Sequence, residues 1–510
     1  MPTDYPIDYL RDILNSRVYE VARETRLHQT RILSDRLGNH IWLKREDEQP
    51  IFCYKIRGAH NKMSSLSPEE IKRGVVVASA GNHAQGVALS AKKLGCHAIV
   101  VMPVTTPSVK IEAVKRWGAT VELVGDSFSE ANAYAEIISQ EQHKTLIKPF
   151  DDRLIIAGQG TVGLEILKQH PGPISAIFVP IGGGGLISGL ATYVKQIRPR
   201  VKVIGVEPFE SDAMYQSLRA NKRVILKQVG IFADGVAVKQ VGKENFRLCR
   251  DFVDEVVRVS TDEICAAVKD ICEDTRTLME PSGALGVAGI KRWLMDQEAN
   301  GTKVSGEHLI AIASGANVNF DRLRHISERA EIGERREAIL AVTIPEKPGS
   351  FRRFCKAIGN RSVSEFNYRY ANDADAHIFV GVMVRNQDEI DGLIKRLEKK
   401  GFATLDLTDN EIAKVHARHM VGGRTNISDE RLFSFQFPER IGALSGFLDQ
   451  IGTNWNISLF HYRNHGSDFG RVLCGIQVPQ GSRSQFRAFL KELGYDYTEE
   501  TDNPVYQLFL

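Results

Sequence analysis

In Ile177-Phe178-Val179-Pro180-Ile181-Gly182-Gly183-Gly184-Gly185-Leu186-Ile187-Ser188-Gly189-Leu190-Ala191, an apolar triplet runs into four glycines and then into a second apolar run. The pattern reads as a strand over 177–179, a loop over 182–185 and the start of a helix at 186–191. Four glycines let successive backbone N–H groups close on a phosphate without Cβ clashes, and the helix dipole favours the charge. No Walker lysine follows the loop. Its spacing is not GxGxxG with an acidic residue about twenty further on, so a dinucleotide fits poorly. A phosphate on a smaller cofactor fits better. The alternative is a flexible linker, but linkers are rarely framed by an apolar strand and an apolar helix.

Working outward, short Val- and Ile-rich runs alternate with amphipathic stretches from about residue 70 to 320. Val75–Ser79, His97–Met102, Val121–Val124, Leu146–Pro149, Ala176–Val179, Val203–Val206, Glu255–Val259 and Leu309–Ala313 read as buried strands. Helices lie between them, such as 262–274, where Ser260 stands three before Glu263 in a capping-box pattern. The alternation predicts an α/β fold with an open, mostly parallel sheet covered by helices. Residues 328–336 are polar and read as a connector. Beyond it the chain repeats itself. VTIPEKPGSFRRFCKAIG (342–359) is answered by FQFPERIGALSGFLDQIG (435–452), so Pro345 and Pro438, Gly349 and Gly442, and Gly359 and Gly452 each stand 93 apart. Each copy reads strand, helix, strand, strand, helix, strand, a ferredoxin-like βαββαβ unit. The expected domains are 1–328, 338–410 and 432–504.

Composition narrows the class. The chain has 510 residues, too many for one core. Its 66 Lys and Arg against 63 Asp and Glu leave a formal charge of +3, which gives no electrostatic case for nucleic acid or an anionic membrane. The uncharged residues nearest a membrane-span length, from Pro171 on, contain six glycines and three prolines by residue 194 and so read as part of a soluble domain. Seven cysteines form no CxxC, and the first twenty residues carry several charges. The expectation is a soluble protein of the reducing cytoplasm.

Three further motifs carry chemistry. Lys55 lies in Cys53-Tyr54-Lys55-Ile56-Arg57-Gly58-Ala59; burial would disfavour its ammonium form and leave a nucleophilic amine, as a Schiff-base lysine requires, or it is a solvated surface lysine. Ser79-Ala80-Gly81-Asn82-His83-Ala84-Gln85-Gly86 follows a strand and opens a helix, which suits a carboxylate, although a plain βα turn reads the same way. His83, at a helix start, is read as structural. Ser314-Gly315-Ala316-Asn317 sits at a strand's carboxyl end, where open α/β sheets bind ligands.

Together these motifs resemble the fold type II pyridoxal-phosphate enzymes, the tryptophan synthase β-like group. Within it, KREDEQPIFCYKIRGA, SAGNHAQG, the PVTTPS run at 103–108, GGGGL and SGAN look like the threonine dehydratases. The doubled C-terminal unit looks like the paired ACT-like regulatory module of their long, biosynthetic form. The resemblance covers nearly the whole chain. It implies pyridoxal 5′-phosphate joined to Lys55, its ring oxygen met by Asn82, its phosphate cradled by Gly182, Gly183, Gly184, Gly185 and Leu186, and its ring nitrogen faced by Ser314. The substrate carboxylate would be held by Ser79, Ala80, Gly81 and Asn82. The implied reaction is loss of water and then ammonia from L-threonine, giving 2-oxobutanoate, and the same loss from L-serine, with Lys55 as the base. Inhibition by isoleucine opposed by valine, and a homotetramer, are implied too. Tyr368 and Tyr462, at equivalent places in the two repeats, could line effector sites or be packed strand aromatics. Ala80 stands where serine racemase relatives carry a second serine, which argues against racemisation. Ala213 falls where some relatives place an aspartate metal ligand, so no divalent metal is expected. Two rivals stay open: a synthase performing β-replacement, and an amino-acid sensor that has lost catalysis.

Overall fold

The computed structural model describes the chain except residues 1–4, 231, 321, 348, 371–373, 416, 420–424, 426, 439–442, 452–454, 464–468, 504–505 and 507–510. The repeat glycines Gly442 and Gly452 therefore lie outside the described residues. The chain forms two compact units, Met1–Ala330 and Glu331–Leu510.

Among its described residues the first unit has ten strands: β1 (Leu27–Gln29), β2 (His40–Arg45), β3 (Val75–Ala78), β4 (Ala98–Met102), β5 (Thr120–Leu123), β6 (Thr145–Leu146), β7 (Ala176–Pro180), β8 (Lys202–Pro208), β9 (Glu255–Val259) and β10 (His308–Ala313). Seven of the eight expected strands are present; the one expected over 146–149 shrinks to β6, which shares only Leu146 with it. The strands are divided between two sheets rather than laid in one. The smaller is entirely parallel with order β5-β4-β3-β6; the larger runs β1-β2-β10-β7-β8-β9 and is parallel except for β1. Each sheet buries both faces. Val75, Val77, Val100 and Met102 face one side of the small sheet, and Val76, Ala78, Ile99 and Val101 the other. Phe178, Ile204 and Ala311 face one side of the large sheet, while Ile177, Val179, Val203 and Ile310 face the opposite one. This two-faced burial is why the strands read as unbroken apolar runs.

The reading missed β1 and β2. β1 has three residues, and β2 ends in Lys44 and Arg45, charges that disguise a central strand; both are buried and neutralised inside the unit. The capping box forms as expected on helix Thr261–Thr275, with Glu263 N–H on Ser260 Oγ at 3.2 Å and Ser260 N–H on the Glu263 carboxylate at 2.6 Å. The expected connector is largely helical, because helix Arg322–Gly333 runs through it.

The second unit continues with β11 (Glu337–Pro345), β12 (Val363–Arg369), β13 (Asp375–Met383), β14 (Ala403–Asp406), β15 (Glu430–Pro438), β16 (Asn456–Arg463), β17 (Phe469–Gln477) and β18 (Asp496–Glu499). Helices Ser350–Ile358, Gln387–Lys399, Ala443–Ile451 and Arg483–Leu493 complete two βαββαβ copies. The copies share one antiparallel sheet in the order β14-β11-β13-β12-β16-β17-β15-β18. β12 and β16 form the seam, pairing Phe366 with Tyr462 and Tyr368 with Phe460. The repeated residues have local reasons. Pro345 and Pro438 end their strands, and Gly349 (φ +86°) caps the start of the first helix in a left-handed conformation that a side chain would strain.

Candidate active site

The site lies at the carboxyl ends of β3, β7 and β10, the place where open α/β sheets gather ligands. Lys55 opens helix Lys55–Met63. The segment before it is tied to the SGAN turn: Cys53 bridges Gly315, and Tyr54 N–H donates to Ser314 C=O at 3.2 Å. Lys55 and Ser314 are thereby brought side by side. The helix is held by a fully buried ionic cluster. Arg57 donates to Glu46 at 2.7 Å and to Glu165 at 2.6 Å, and Lys44 meets the same Glu165 at 2.6 Å. Two cations against two carboxylates leave no net charge, and Thr25 and Tyr19 hydroxyls fill remaining lone pairs.

The Lys55 amine is half-buried, with Nζ 5.1 Å from the centre of the Tyr54 ring. Burial pulls against its ammonium form, but the Tyr54 phenol with Cys53 and Glu280 outweighs it, and the group lies above the ordinary lysine value. The depression expected from burial alone is therefore overturned by neighbours: without a ligand, Lys55 is an ammonium that has to lose a proton before it acts as nucleophile or base.

The Asn82 turn leaves β3 and starts helix Asn82–Leu94. Its first-turn N–H groups lack helical partners. A Cβ at Gly81 would meet nothing within 4 Å, so this turn borders open space. Ser79 Oγ accepts from Gly81 N–H at 3.3 Å, folding the turn back on itself. The Asn82 helix packs on the Lys55 helix through Gly86, where a Cβ would stand 3.1 Å from Ala59 Cβ. His83 is buried and bonds the Ile147 carbonyl at 3.4 Å, and burial, helped by Lys55, lowers its pKa to about 3. Its ring is neutral and structural.

The tetraglycine loop follows β7 and feeds helix Gly185–Ile197, with Gly184 left-handed at φ +98°. A Cβ on Gly183 would fall 2.3 Å from the Phe150 ring, and one on Gly184 would lie 2.8 Å from Asn245 Cβ. The Gly183 carbonyl accepts from Gly242 N–H at 3.1 Å and Asn245 Nδ2 at 2.9 Å. Pinning this carbonyl turns the Gly184 N–H, anti to it across the peptide plane, the opposite way. Leu186 is buried behind the loop. A small phosphate ester fits such a cradle, with free N–H groups at a helix start and no Cβ in the way.

Several residues that the motif reading passed over join these parts. Glu280 is buried between the Asn82 turn and the SGAN turn. Its Oε1 accepts from Asn82 Nδ2 at 2.7 Å and Ser282 Oγ at 3.1 Å, and its N–H donates to Gly315 C=O at 3.2 Å. Asn317 Nδ2 donates to Asn82 Oδ1 at 2.7 Å. Ser314 Oγ donates to Ser282 C=O at 3.3 Å. The turn 234–236 closes the ring: a Cβ on Gly182 would stand 3.0 Å from Val236 Cα, and one on Gly235 2.4 Å from Ser282 Oγ. Lys55, Asn82, Gly182 and Ser314 are thus linked by short contacts through Glu280, Ser282 and Val236. The signal for Glu280 was a lone acid followed by Pro281 at the head of the apolar helix Pro281–Ala299.

At the end of β8, Glu207 is buried and pushed up to about 8 by desolvation. It accepts the N–H groups of Met214 at 2.9 Å and Tyr215 at 2.8 Å and so caps the start of helix Ala213–Ala220. In the second unit, Tyr368 and Tyr462 are both buried at the seam. The Tyr368 hydroxyl donates to Glu346 at 2.5 Å, and its ring meets Phe351 edge-on at 4.7 Å.

Residues 18–314 match the family of pyridoxal-phosphate dependent enzymes, and residues 328–417 and 421–510 each match the C-terminal regulatory domain of threonine dehydratase. The L-threonine dehydratase biosynthetic IlvA of Burkholderia multivorans is 55% identical over 507 residues, 99% of both chains. The chain belongs to the biosynthetic threonine dehydratases. Another member, threonine dehydratase 1 biosynthetic, chloroplastic, of Solanum lycopersicum, is 51% identical over 99% of this chain and 82% of its own length. Among solved structures, the processed form of threonine deaminase isoform 2 from Solanum lycopersicum superposes with a TM-score of 0.63 at 47% identity, over 65% of this chain and 90% of that one. Maize serine racemase follows the same fold at 34% identity and a TM-score of 0.58, over 62% of this chain and 95% of its own. The family depends on pyridoxal phosphate, and the glycine cradle, the adjoining lysine and the Ser314 hydroxyl suit that cofactor.

Proposed function

We propose that the first unit deaminates L-threonine, and also L-serine, to a 2-oxo acid and ammonia, and that the second unit lets isoleucine inhibit it and valine oppose that inhibition. The enzyme class and the cofactor follow from family membership. The observation that carries the reading is the run of short contacts, through Glu280, Ser282 and Val236, that links Lys55, Asn82, Gly182 and Ser314 at the strand ends. Each has a role its position supports. Residues 182–185 and the helix behind them would hold the phosphate. Asn82 would donate an N–H to the ring oxygen, and the Ser314 hydroxyl would meet the ring nitrogen. Residues 79–82 take the substrate carboxylate on their free N–H groups. Bound there, pyridoxal phosphate supplies an electron sink for the pair left when the α-hydrogen departs. Lys55, tethered to Ser314 and braced by Arg57, removes that hydrogen as a proton. The β-hydroxyl takes up a proton, balancing the one Lys55 removed, and leaves as water; the released enamine hydrolyses to 2-oxobutanoate and ammonia. Ser314 is a weak partner for a ring nitrogen compared with a carboxylate, and Ala80 offers no second base; both favour elimination over transamination or racemisation. Tyr368 and Tyr462 are assigned to the effector sites.

The domain limits 1–328, 338–410 and 432–504 go with this reading, as do a homotetramer and a cytoplasmic setting; the seven cysteines are all free thiols, which suits a reducing compartment. No helix among the described residues is long and apolar enough to cross a membrane. The test is 2-oxobutanoate formation from L-threonine with and without isoleucine. Turnover suppressed by isoleucine is expected. Turnover indifferent to isoleucine removes the feedback assignment, and no keto acid from protein with bound cofactor removes the lyase.

A further inference from the structure

Glu280 is a buried acid in the middle of the site with no role in the chemistry described above. Its hydrogen bonds go to Asn82, Ser282 and Gly315, not to Lys55 or the glycine cradle. Its carboxylate oxygen receives Asn82 Nδ2 at 2.7 Å, while the other end of that amide, Oδ1, receives Asn317 Nδ2 at 2.7 Å. An ionised carboxylate only accepts and an amide nitrogen only donates, so these two neighbours fix which way the Asn82 amide faces. One Asn82 N–H is taken by Glu280; the second is left for a ligand oxygen. Asn317 is itself held by the Ile51 carbonyl at 2.8 Å, and Glu280 by Ser282 Oγ at 3.1 Å.

We propose that Glu280 is a positioning residue for the reaction: through Asn82, with Asn317 as its counterpart, it presents an N–H rather than a carbonyl to the ring oxygen of the cofactor, and its own ionisation sets how firmly that N–H is held. This rests on the assignment of Asn82 to the cofactor. When Glu280 is ionised, the amide is locked with nitrogen inward. When Glu280 is protonated, the bond from Asn82 Nδ2 loses its charge and weakens, while Asn317 Nδ2 still donates to Asn82 Oδ1, so the inward N–H is held less firmly. The ionisation falls in a useful range. Burial, then Asp234, raises the Glu280 pKa to about 7, against the lowering bonds of Asn82 and Ser282 and the charge of Lys110. The charged and titratable groups around it are Asp234 from the turn 234–236, Lys110 from helix Ser108–Lys115, and Cys53, Tyr54 and Lys55 from the segment opening helix Lys55–Met63. Lys110 and Asp234 form an ion pair, so much of their effect on Glu280 cancels.

The test follows the absorbance of the bound cofactor against pH in the full-length holoenzyme, alongside kcat and KM for threonine. The wild type should show a spectral transition with a midpoint near 7. Glu280→Gln, nearly isosteric, should abolish the transition and lower kcat by about tenfold, the effect of one charged hydrogen bond, with KM little changed. Ser282→Ala removes a donor to the ionised form, so the midpoint should rise by about half a unit to one unit. Asn82→Ala must itself alter the spectrum; if it does not, the assignment of Asn82 fails. If Asn82→Ala alters the spectrum but Glu280→Gln keeps the wild-type transition, or Ser282→Ala leaves the midpoint in place, the role of Glu280 is overturned and the assignment of Asn82 stands.

Discussion

The interior of the first unit and the seam of the second solve opposite problems. Around Lys55 the interior is polar: Arg57, Lys44, Glu46 and Glu165 are fully buried and mutually bonded, and Glu280, Asn82 and Asn317 continue the pattern across the site. At the seam between the two repeats the interior is aromatic. Phe366 and Phe460 meet edge-on at 5.3 Å, with Phe351 5.6 Å from Phe366 and Phe447 6.1 Å from Phe460. Directional bonds with fixed donors and acceptors set the orientation of individual side chains, which chemistry at a single carbon needs. Dispersion and burial between rings hold two similar halves together while tolerating small shifts, which suits a unit that reports on ligands.

The comparison can be broken from either side. Lys55→Ala should remove the base and lower kcat by about a thousandfold or more while the fold persists, checked by keto-acid assay together with circular dichroism. Arg57→Met leaves Glu46 and Glu165 buried without their partner; a loss of about 3–5 kcal/mol is expected for the first unit in denaturant unfolding. Phe460→Ala opens a cavity at the seam and should cost about 3 kcal/mol in the second unit, with the isoleucine response lost and turnover without isoleucine within about twofold of wild type. The smallest change sharpens the comparison. Tyr368→Phe removes only the hydroxyl bond to Glu346, worth about 1 kcal/mol, and should shift the isoleucine concentration for half-inhibition by about fivefold in titrations of activity.

What the sequence disclosed divides along the same line. The glycine loop was legible by itself because its residue types follow from backbone needs, whereas Lys55, the Asn82 turn and the SGAN turn became legible only in combination with it. The two βαββαβ copies were legible because proline and glycine punctuate them at a constant offset. The charged strand β2 was not, because Lys44 and Arg45 are explained only by Glu165 and Asp47, far off in sequence or outside the strand. The division into two sheets was not legible either, since strand pairing is a property of partners and the strands look alike. Glu280 escaped for the same reason as β2: its meaning lies in Asn82, 198 positions away. The raised pKa of Lys55 reverses the expectation from burial because Tyr54, its neighbour in sequence, is also its neighbour in space and outweighs desolvation.

The central claim is that Lys55 is the residue joined to pyridoxal phosphate and freed to act as base. Borohydride reduction of the holoenzyme, followed by peptide mass spectrometry, tests it most directly. The cofactor should be found fixed to the peptide containing Lys55, and Lys55→Ala protein should carry none. A reduced cofactor on any other lysine of an active enzyme would contradict the assignment.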